Sequence, residues 1–466
     1  MKKYDVVIIG AGPGGTPAAV RLAQSGKSVL LVDDRGKPGG ECLFEGCIPS
    51  KTLEQSADYF YLLKNVQDFG VSPGGDPTCD WEKVIEKKDR ILKHRSEMAI
   101  QQFQTIPALT FAAGTARFLS NHKIEIASGS GDVEQVTFDF AIITVGSKAF
   151  IPPISENGVE HIWTNKEMFE EETLPSSIVI IGAGAIGIEF AQMFAKLDVN
   201  CTVIEMLDRI LPPVEADFAE ILHKKMIEED GVEIHLSAKV RGIEFQNGRF
   251  ETVFEAKNGA QATVVSDKVI VAAGRIANID SINLSATEIQ FDRKGINVND
   301  FLETTVKGIY AAGDVIHGPN FAHTASAEAM VIAENILRGN VKTMDFSKNS
   351  WVLFSDPEIA SAGLTAEEAV KAGHEIVTGT YDFRVDARAQ INDRPFGYLR
   401  FVVEKKTERI LGIHIMTEGA ADIIGEAALA VSMKATLSDL AVAIHPHPTL
   451  TESFGVLAKS MKASFS

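Results

Sequence analysis

The chain has 466 residues, too many for one compact core and suited to two to four domains. An apolar fraction of 45% and a charged fraction of 23% are ordinary for a soluble globular protein, and no apolar run approaches the ~18 residues that cross a bilayer. A formal charge of −18 argues against nucleic acid and anionic membranes as partners, because both need basic surface to offset phosphate charge.

The first strand-like run, Tyr4 to Ile9, starts almost at the beginning of the chain. That leaves no room for a signal or transit peptide and sets a cytoplasmic expectation. It leads into the turn Gly10-Ala-Gly-Pro-Gly-Gly15, then a helix with Ala18, Ala19, Leu22 and Ala23 on one face, then a second strand closed by Asp33. Within the turn, Gly10 permits the tight bend, Gly12 lets the backbone approach a pyrophosphate, and Gly15 lets helix and strand pack closely. The helix N-terminus supplies amide donors for phosphate, and Asp33 is placed to accept from ribose hydroxyls. Pro17 is expected in the second turn of this helix, where it removes a backbone donor.

Next comes Gly39-Gly-Glu-Cys-Leu-Phe-Glu-Gly-Cys-Ile-Pro-Ser-Lys51, with Cys42 and Cys47 five apart. If helical, the two lie about one turn apart, and a local distortion eased by Gly46 brings the sulfurs into bonding range. Only Cys79 and Cys201 remain, too few for a secreted disulfide scaffold of this size. Two cysteines with no histidine nearby make a poor zinc site, so no metal is expected and redox work is left for the close pair.

Residues 177–205 repeat the opening pattern: strand, Gly182-Ala-Gly-Ala-Ile-Gly187, helix, strand, Glu205. In both copies the acid falls 23 residues after the first glycine, 10 to 33 and 182 to 205, which selects Asp33 over Asp34. Two dinucleotide sites are therefore expected, the second using Gly182, Gly184, Gly187 and Glu205. A carboxylate at Glu205 would repel a 2′-phosphate, which favours NAD over NADP. Towards the end, Gly397 to Val403 and Arg409 to Ile415 read as strands and Ala420 to Met433 as a helix of small residues, an α+β layer whose apolar face suits dimerisation. In Ile444-His-Pro-His-Pro-Thr-Leu-Thr-Glu452, two prolines and two histidines in five residues indicate by themselves only a rigid loop.

The GGxCxxxGCIPSK run resembles the redox signature of the flavoprotein disulfide reductases, the class I pyridine nucleotide-disulfide oxidoreductases. The resemblance spans the chain and is greatest to dihydrolipoamide dehydrogenases. Thr304 to Val315 is similar to the second flavin segment, with Asp314 on the ribityl chain; Ile142 to Gly146 and Val271 to Arg275, with Gly146 and Gly274, resemble the interdomain crossings. Val145 stands where the family usually has alanine, and Phe44-Glu45 where its lipoamide members usually have Asn-Val. If Glu45 points inward it raises a thiol pKa; if outward it matters little.

The resemblance implies FAD and NAD as cofactors, Cys42 as the interchange thiol, Cys47 facing the flavin, His447 as base oriented by Glu452, and Lys51 beside the flavin with Glu189 as its partner. It implies a homodimer in which the histidine serves the other subunit's cysteines. The expected reaction is oxidation of dihydrolipoamide or a lipoyl domain by NAD+. Reduction of another small disulfide or of mercuric ion is the enzymatic alternative, although the tail, Met461 to Ser466, lacks the vicinal cysteines of mercuric reductases. A flavin-binding redox sensor is the non-enzymatic alternative. The fold class expected is α/β, with two Rossmann-like dinucleotide-binding domains and a C-terminal α+β dimerisation domain. Boundaries are placed at 1–148 (FAD), 149–273 (NAD), 274–347 (central, returning to the flavin) and 348–466 (interface).

Overall fold

The computed structural model describes residues 1–154 and 158–465, which form two compact units. The first comprises Met1–Gly182, Met193–Ile204 and Lys239–Met344; the second comprises Ala183–Gln192, Glu205–Ala238 and the residues from Asp345 onward.

In the first unit a parallel run is ordered Leu109–Ala113, Val29–Asp33, Lys2–Ile9, Val133–Ile143, with Ile309–Ala311 also parallel to the last. Val6 to Ile9 and all of Val29–Asp33 are buried, as expected of unbroken apolar strands covered on both faces. Helix Thr16–Gln24 buries Ala18, Ala19, Leu22 and Ala23, the face its spacing predicts. Pro17 lies in the first turn of that helix and not the second. Its missing N–H is one of the four that a helix start leaves unbonded anyway, so the proline removes no helical hydrogen bond.

A second parallel set in this unit has Ser177–Ile181 between Asn200–Ile204 and Lys268–Val271. The two expected crossings meet: Ser147–Ala149 pairs antiparallel with Arg275–Ala277, and Asn278 N donates to Gly146 O at 2.9 Å while Phe150 N donates to Gly274 O at 3.0 Å. Gly146 and Gly274 have φ of +68° and +115°, a region open to glycine. Val145 packs against the apolar core of this unit, which accommodates its extra bulk.

The second unit contains a five-stranded antiparallel sheet, ordered Ser350–Leu353, Ile359–Gly363, Ile410–Met416, Tyr398–Glu404, Ile376–Asp382. Helices Ala420–Ser432 and Glu452–Phe465 share its core, where Phe401, Ile413, Ile415 and Phe454 are fully buried. This is the α+β layer expected. Leu429, Met433, Val442 and Ile444 remain exposed, Ile444 at 98%. Among the described residues no helix is long and apolar enough to cross a membrane.

Candidate active site

The cysteine segment folds as two helices, Gly40–Phe44 and Cys47–Asn65, broken at Glu45 and Gly46. At Gly46 (φ −139°, ψ −111°) a Cβ would stand 3.2 Å from Glu41 O, so the break is built around glycine. It brings Cys42 Sγ and Cys47 Sγ to 2.8 Å as free thiols, near enough to form a disulfide of about 2.05 Å after a small shift. Cys47 is exposed and Cys42 partly buried. The Cys42 thiol is pushed up, first by its hydrogen bond with Cys47 and then by burial. A pair held in this protonated form needs an outside base to become nucleophilic.

Glu41 and Glu45 neighbour the cysteines in the chain, and each meets an arginine. Glu41 is ion-paired with Arg275 and accepts from Asn165 Nδ2 at 3.2 Å. Burial raises the Glu41 carboxyl, and Arg275 opposes that rise. Arg275 Nε also donates to Ser147 Oγ at 2.7 Å, and Ser147 Oγ donates to Asp314 Oδ2 at 2.7 Å. The helix carrying Cys42 is thus tied through Arg275 to the segment carrying Asp314. Glu45 pairs with Arg35 through both oxygens, Nη1 to Oε1 at 2.8 Å and Nη2 to Oε2 at 2.7 Å.

The first glycine turn leaves no space for side chains at Gly10 and Gly15, nor does the segment packed on it at Gly40. A Cβ on Gly10 would lie 2.3 Å from Thr144 O, one on Gly15 would lie 1.9 Å from Gly10 O, and one on Gly40 would lie 2.6 Å from Gly12 Cα. Asp33 Oδ2 accepts from Ala11 N at 2.8 Å and Oδ1 from Arg35 N at 3.1 Å. Burial raises the Asp33 carboxyl, opposed by those amides. These tight glycines, the buried acid and Asp314 held by Ser147 fit a flavin dinucleotide.

The second turn repeats this contact atom for atom. Glu205 Oε2 accepts from Ala183 N at 2.6 Å and Oε1 from Leu207 N at 2.8 Å. Gly182 has φ +108° and a Cβ there would sit 2.5 Å from Ala272 O, whereas a Cβ on Gly184 meets no described atom within 4 Å. Gly187 lies buried in helix Ala185–Lys196. This open turn with a terminal carboxylate fits NAD.

Glu452 opens helix Glu452–Phe465, where the helix dipole favours a carboxylate. Its pKa is lowered first by the Thr449 amide, which donates to Oε2 at 2.9 Å, and then by His447. His447 Nδ1 lies 3.1 Å from both Glu452 oxygens. An ionised carboxylate only accepts, so in the neutral ring the proton sits on Nδ1 and Nε2 is left as an acceptor. The imidazole is 73% exposed. Lys51 Nζ reaches Glu54 Oε1 at 3.0 Å, and Glu189 Oε1 accepts from Phe354 N at 2.9 Å. Sequence reading missed Glu41, Arg35 and Ser147 as members of these networks; Arg275 stood in a quoted motif, but nothing local named its partner.

Residues 4–329 match the pyridine nucleotide-disulphide oxidoreductase family, and residues 349–458 match the dimerisation domain of pyridine nucleotide-disulphide oxidoreductases. The chain belongs to this family. Relatives named dihydrolipoyl dehydrogenase include one from Haloferax volcanii, 34% identical over 96% of this chain and 94% of its own. Another from Thermus scotoductus is 34% identical over 99% and 98%, and one from Bacillus subtilis 33% identical over 98% and 97%. Among solved structures, the HOCl-induced flavoprotein disulfide reductase RclA from Escherichia coli in its Cu(II) complex superposes with a TM-score of 0.87 at 25% identity, covering 99% of this chain and 100% of that one. LpdA from Mycobacterium tuberculosis, at 22% identity and a TM-score of 0.89, covers 99% and 100% and shares the fold. The α/β architecture with its C-terminal dimerisation domain, and the enzyme class, are those of a pyridine nucleotide-disulphide oxidoreductase.

Proposed function

We propose that this chain oxidises dihydrolipoyl groups with NAD+ through the Cys42–Cys47 pair. The observation that carries the chemistry is the 2.8 Å approach of two free thiols beside a nucleotide turn. The substrate follows from the names of relatives that align over almost the whole chain.

In the oxidised enzyme the two cysteines share a disulfide. A substrate thiolate attacks Cys42 Sγ, the Cys42–Cys47 bond breaks, and Cys47 leaves as the thiolate. The second substrate thiolate then attacks the substrate sulfur of the mixed disulfide and releases Cys42. The substrate becomes a disulfide, and the protein keeps two electrons as a dithiol. Each attack requires a deprotonated thiol, and His447 Nε2 takes the proton while Glu452 holds the ring and offsets the imidazolium charge. Gly10, Gly12, Gly15, Asp33 and Asp314 would hold FAD, with Lys51 as the cation beside it, and FAD would supply the two-electron path onward to NAD+.

His447 stands on a loop that begins at the fully exposed Ile444, an apolar side chain suited to burial against a second copy. In the homodimer proposed, the base for each dithiol is His447 of the partner subunit. The division at 1–148, 149–273, 274–347 and 348–466 remains our proposal for the domains.

The test is NADH formation from dihydrolipoamide and NAD+, with reduction of a small dye by NADH as a parallel assay. His447→Gln is expected to slow dithiol oxidation at least about a hundredfold and dye reduction little, because the dye bypasses thiol chemistry. Equal losses in both assays overturn the role of His447, and no turnover by flavin-loaded wild type with dihydrolipoamide overturns the substrate.

A further inference from the structure

Glu45 is an awkward residue for a thiol enzyme. It sits two positions before Cys47 and three after Cys42, and a carboxylate there disfavours the thiolate. The structure supplies its counterpart. Arg35 grips Glu45 with a two-point fork, and the Arg35 guanidinium lies 5.9 Å from the centre of the Phe44 ring. One arginine therefore engages both residues of the Phe44-Glu45 departure. The Glu45 side chain is 17% exposed and that of Arg35 35%, so the pair is partly shielded from water. Backbone N of the same arginine donates to Asp33 Oδ1 at 3.1 Å, which fixes it to the closing acid of the first turn.

We propose that Arg35 is a positioning residue for the dithiol: it neutralises Glu45, so that the cysteines stay reactive with a carboxylate between them. This rests on the dithiol reading above. A partly exposed ion pair adds little to global stability, so the consequence is local and electrostatic. Asp34 and Asp33 also act on Arg35, but Glu45 acts on it first through the hydrogen-bonded fork. Glu41 is paired with Arg275, Arg95 on helix Trp81–Gln104 favours the Cys42 thiolate, and Lys51 and Glu54 pair on the helix begun by Cys47. Glu45 is the carboxylate whose unmasking would shift that balance.

The experiment follows alkylation of the reduced holoenzyme by iodoacetamide across pH, with mass mapping of Cys42 and Cys47. Arg35→Met is expected to move the rate profile to higher pH and slow alkylation at neutral pH about three- to tenfold. In an Glu45→Val background the same Arg35→Met change is expected to have no effect. Arg35→Lys, which keeps the charge and loses the fork, is expected to stay within about twofold of wild type. An unshifted profile in R35M, an equal shift in the E45V background, or an R35K profile as displaced as that of R35M would each overturn the proposal. Should R35M fail to fold, Arg35→Gln, which also removes the charge, carries the same test with the same expected shift. Wild type that alkylates at neither cysteine would instead overturn the dithiol reading itself.

Discussion

The two nucleotide turns share one construction and differ in what surrounds them. In each, the acid closing the second strand reaches back to the amide after the first glycine: Asp33 to Ala11, Glu205 to Ala183. The first turn is roofed by the cysteine segment. Gly39 N donates to Ala11 O at 2.8 Å, and Gly40 packs so closely on Gly12 that a Cβ would stand 2.6 Å from the Gly12 Cα. At the second turn a Cβ on Gly184 would enter open space among the described residues. The same motif thus serves two ends. One site is built into the core beside the dithiol and suits a resident group; the other lies open and suits a group that exchanges every turnover.

The contrast breaks most easily at Gly40. It has φ +59°, and alanine there would meet both left-handed strain and the Gly12 backbone. Together these cost about 3 kcal/mol, roughly a hundredfold in flavin affinity if the turn yields rather than the helix. Gly40→Ala is expected to purify with little flavin and with slower thiol exchange as well, since roof and dithiol are one segment. Full flavin content with normal turnover would show that the roof is not part of the site.

A smaller effect comes from Glu328, on helix Ala322–Arg338, which is only 2% exposed and accepts from Gly313 N at 2.6 Å, next to Asp314. Burial pushes its carboxyl from an ordinary 4.5 up to about 7, with the Asp314 charge adding to the rise and the Gly313 amide opposing it. The folded state therefore holds a proton that the unfolded chain has released. The stabilisation is complete below about pH 4.5 and is lost as pH rises through about 7. Between about pH 5.5 and about pH 8 the loss amounts to ~2 kcal/mol. Glu328→Gln keeps the acceptor for Gly313 without the titration. The difference in denaturant midpoint between the variant and wild type is expected to widen in the variant's favour across that range, and a constant difference would remove Glu328 from the account.

What was legible in the sequence was what the backbone enforces locally. Gly10 and Gly182, at φ +104° and +108°, are positions that require glycine, and the equal spacing to Asp33 and Glu205 follows from a strand–helix–strand unit of fixed size. For the cysteine pair, Gly46 and the five-residue spacing only allowed the sulfurs to meet, and the redox reading came from the resemblance of the surrounding GGxCxxxGCIPSK run. Glu41 and Arg275 were both in view, but 234 positions separate them and no local pattern joins them. Glu45 looked like a departure with two outcomes, and which one holds depended on Arg35, a side chain from another element. The misplaced turn for Pro17 came from starting the helix too early, the ordinary uncertainty of a helix boundary.

The smallest effect tests the open turn. A methyl on Gly184 meets no described atom, so Gly184→Ala is expected to leave folding and flavin content as they are. It would instead occupy the place where the backbone approaches a pyrophosphate, and the KM for NAD+ is expected to rise about tenfold, ~1.4 kcal/mol. Dye reduction driven by saturating NADH should then reach nearly the wild-type rate. The distinguishing feature is the pairing of outcomes: flavin lost at Gly40 and kept at Gly184, NAD+ affinity lost at Gly184. If Gly184→Ala also sheds flavin, the two turns are mechanically coupled, and the separation between a resident and an exchanging site fails.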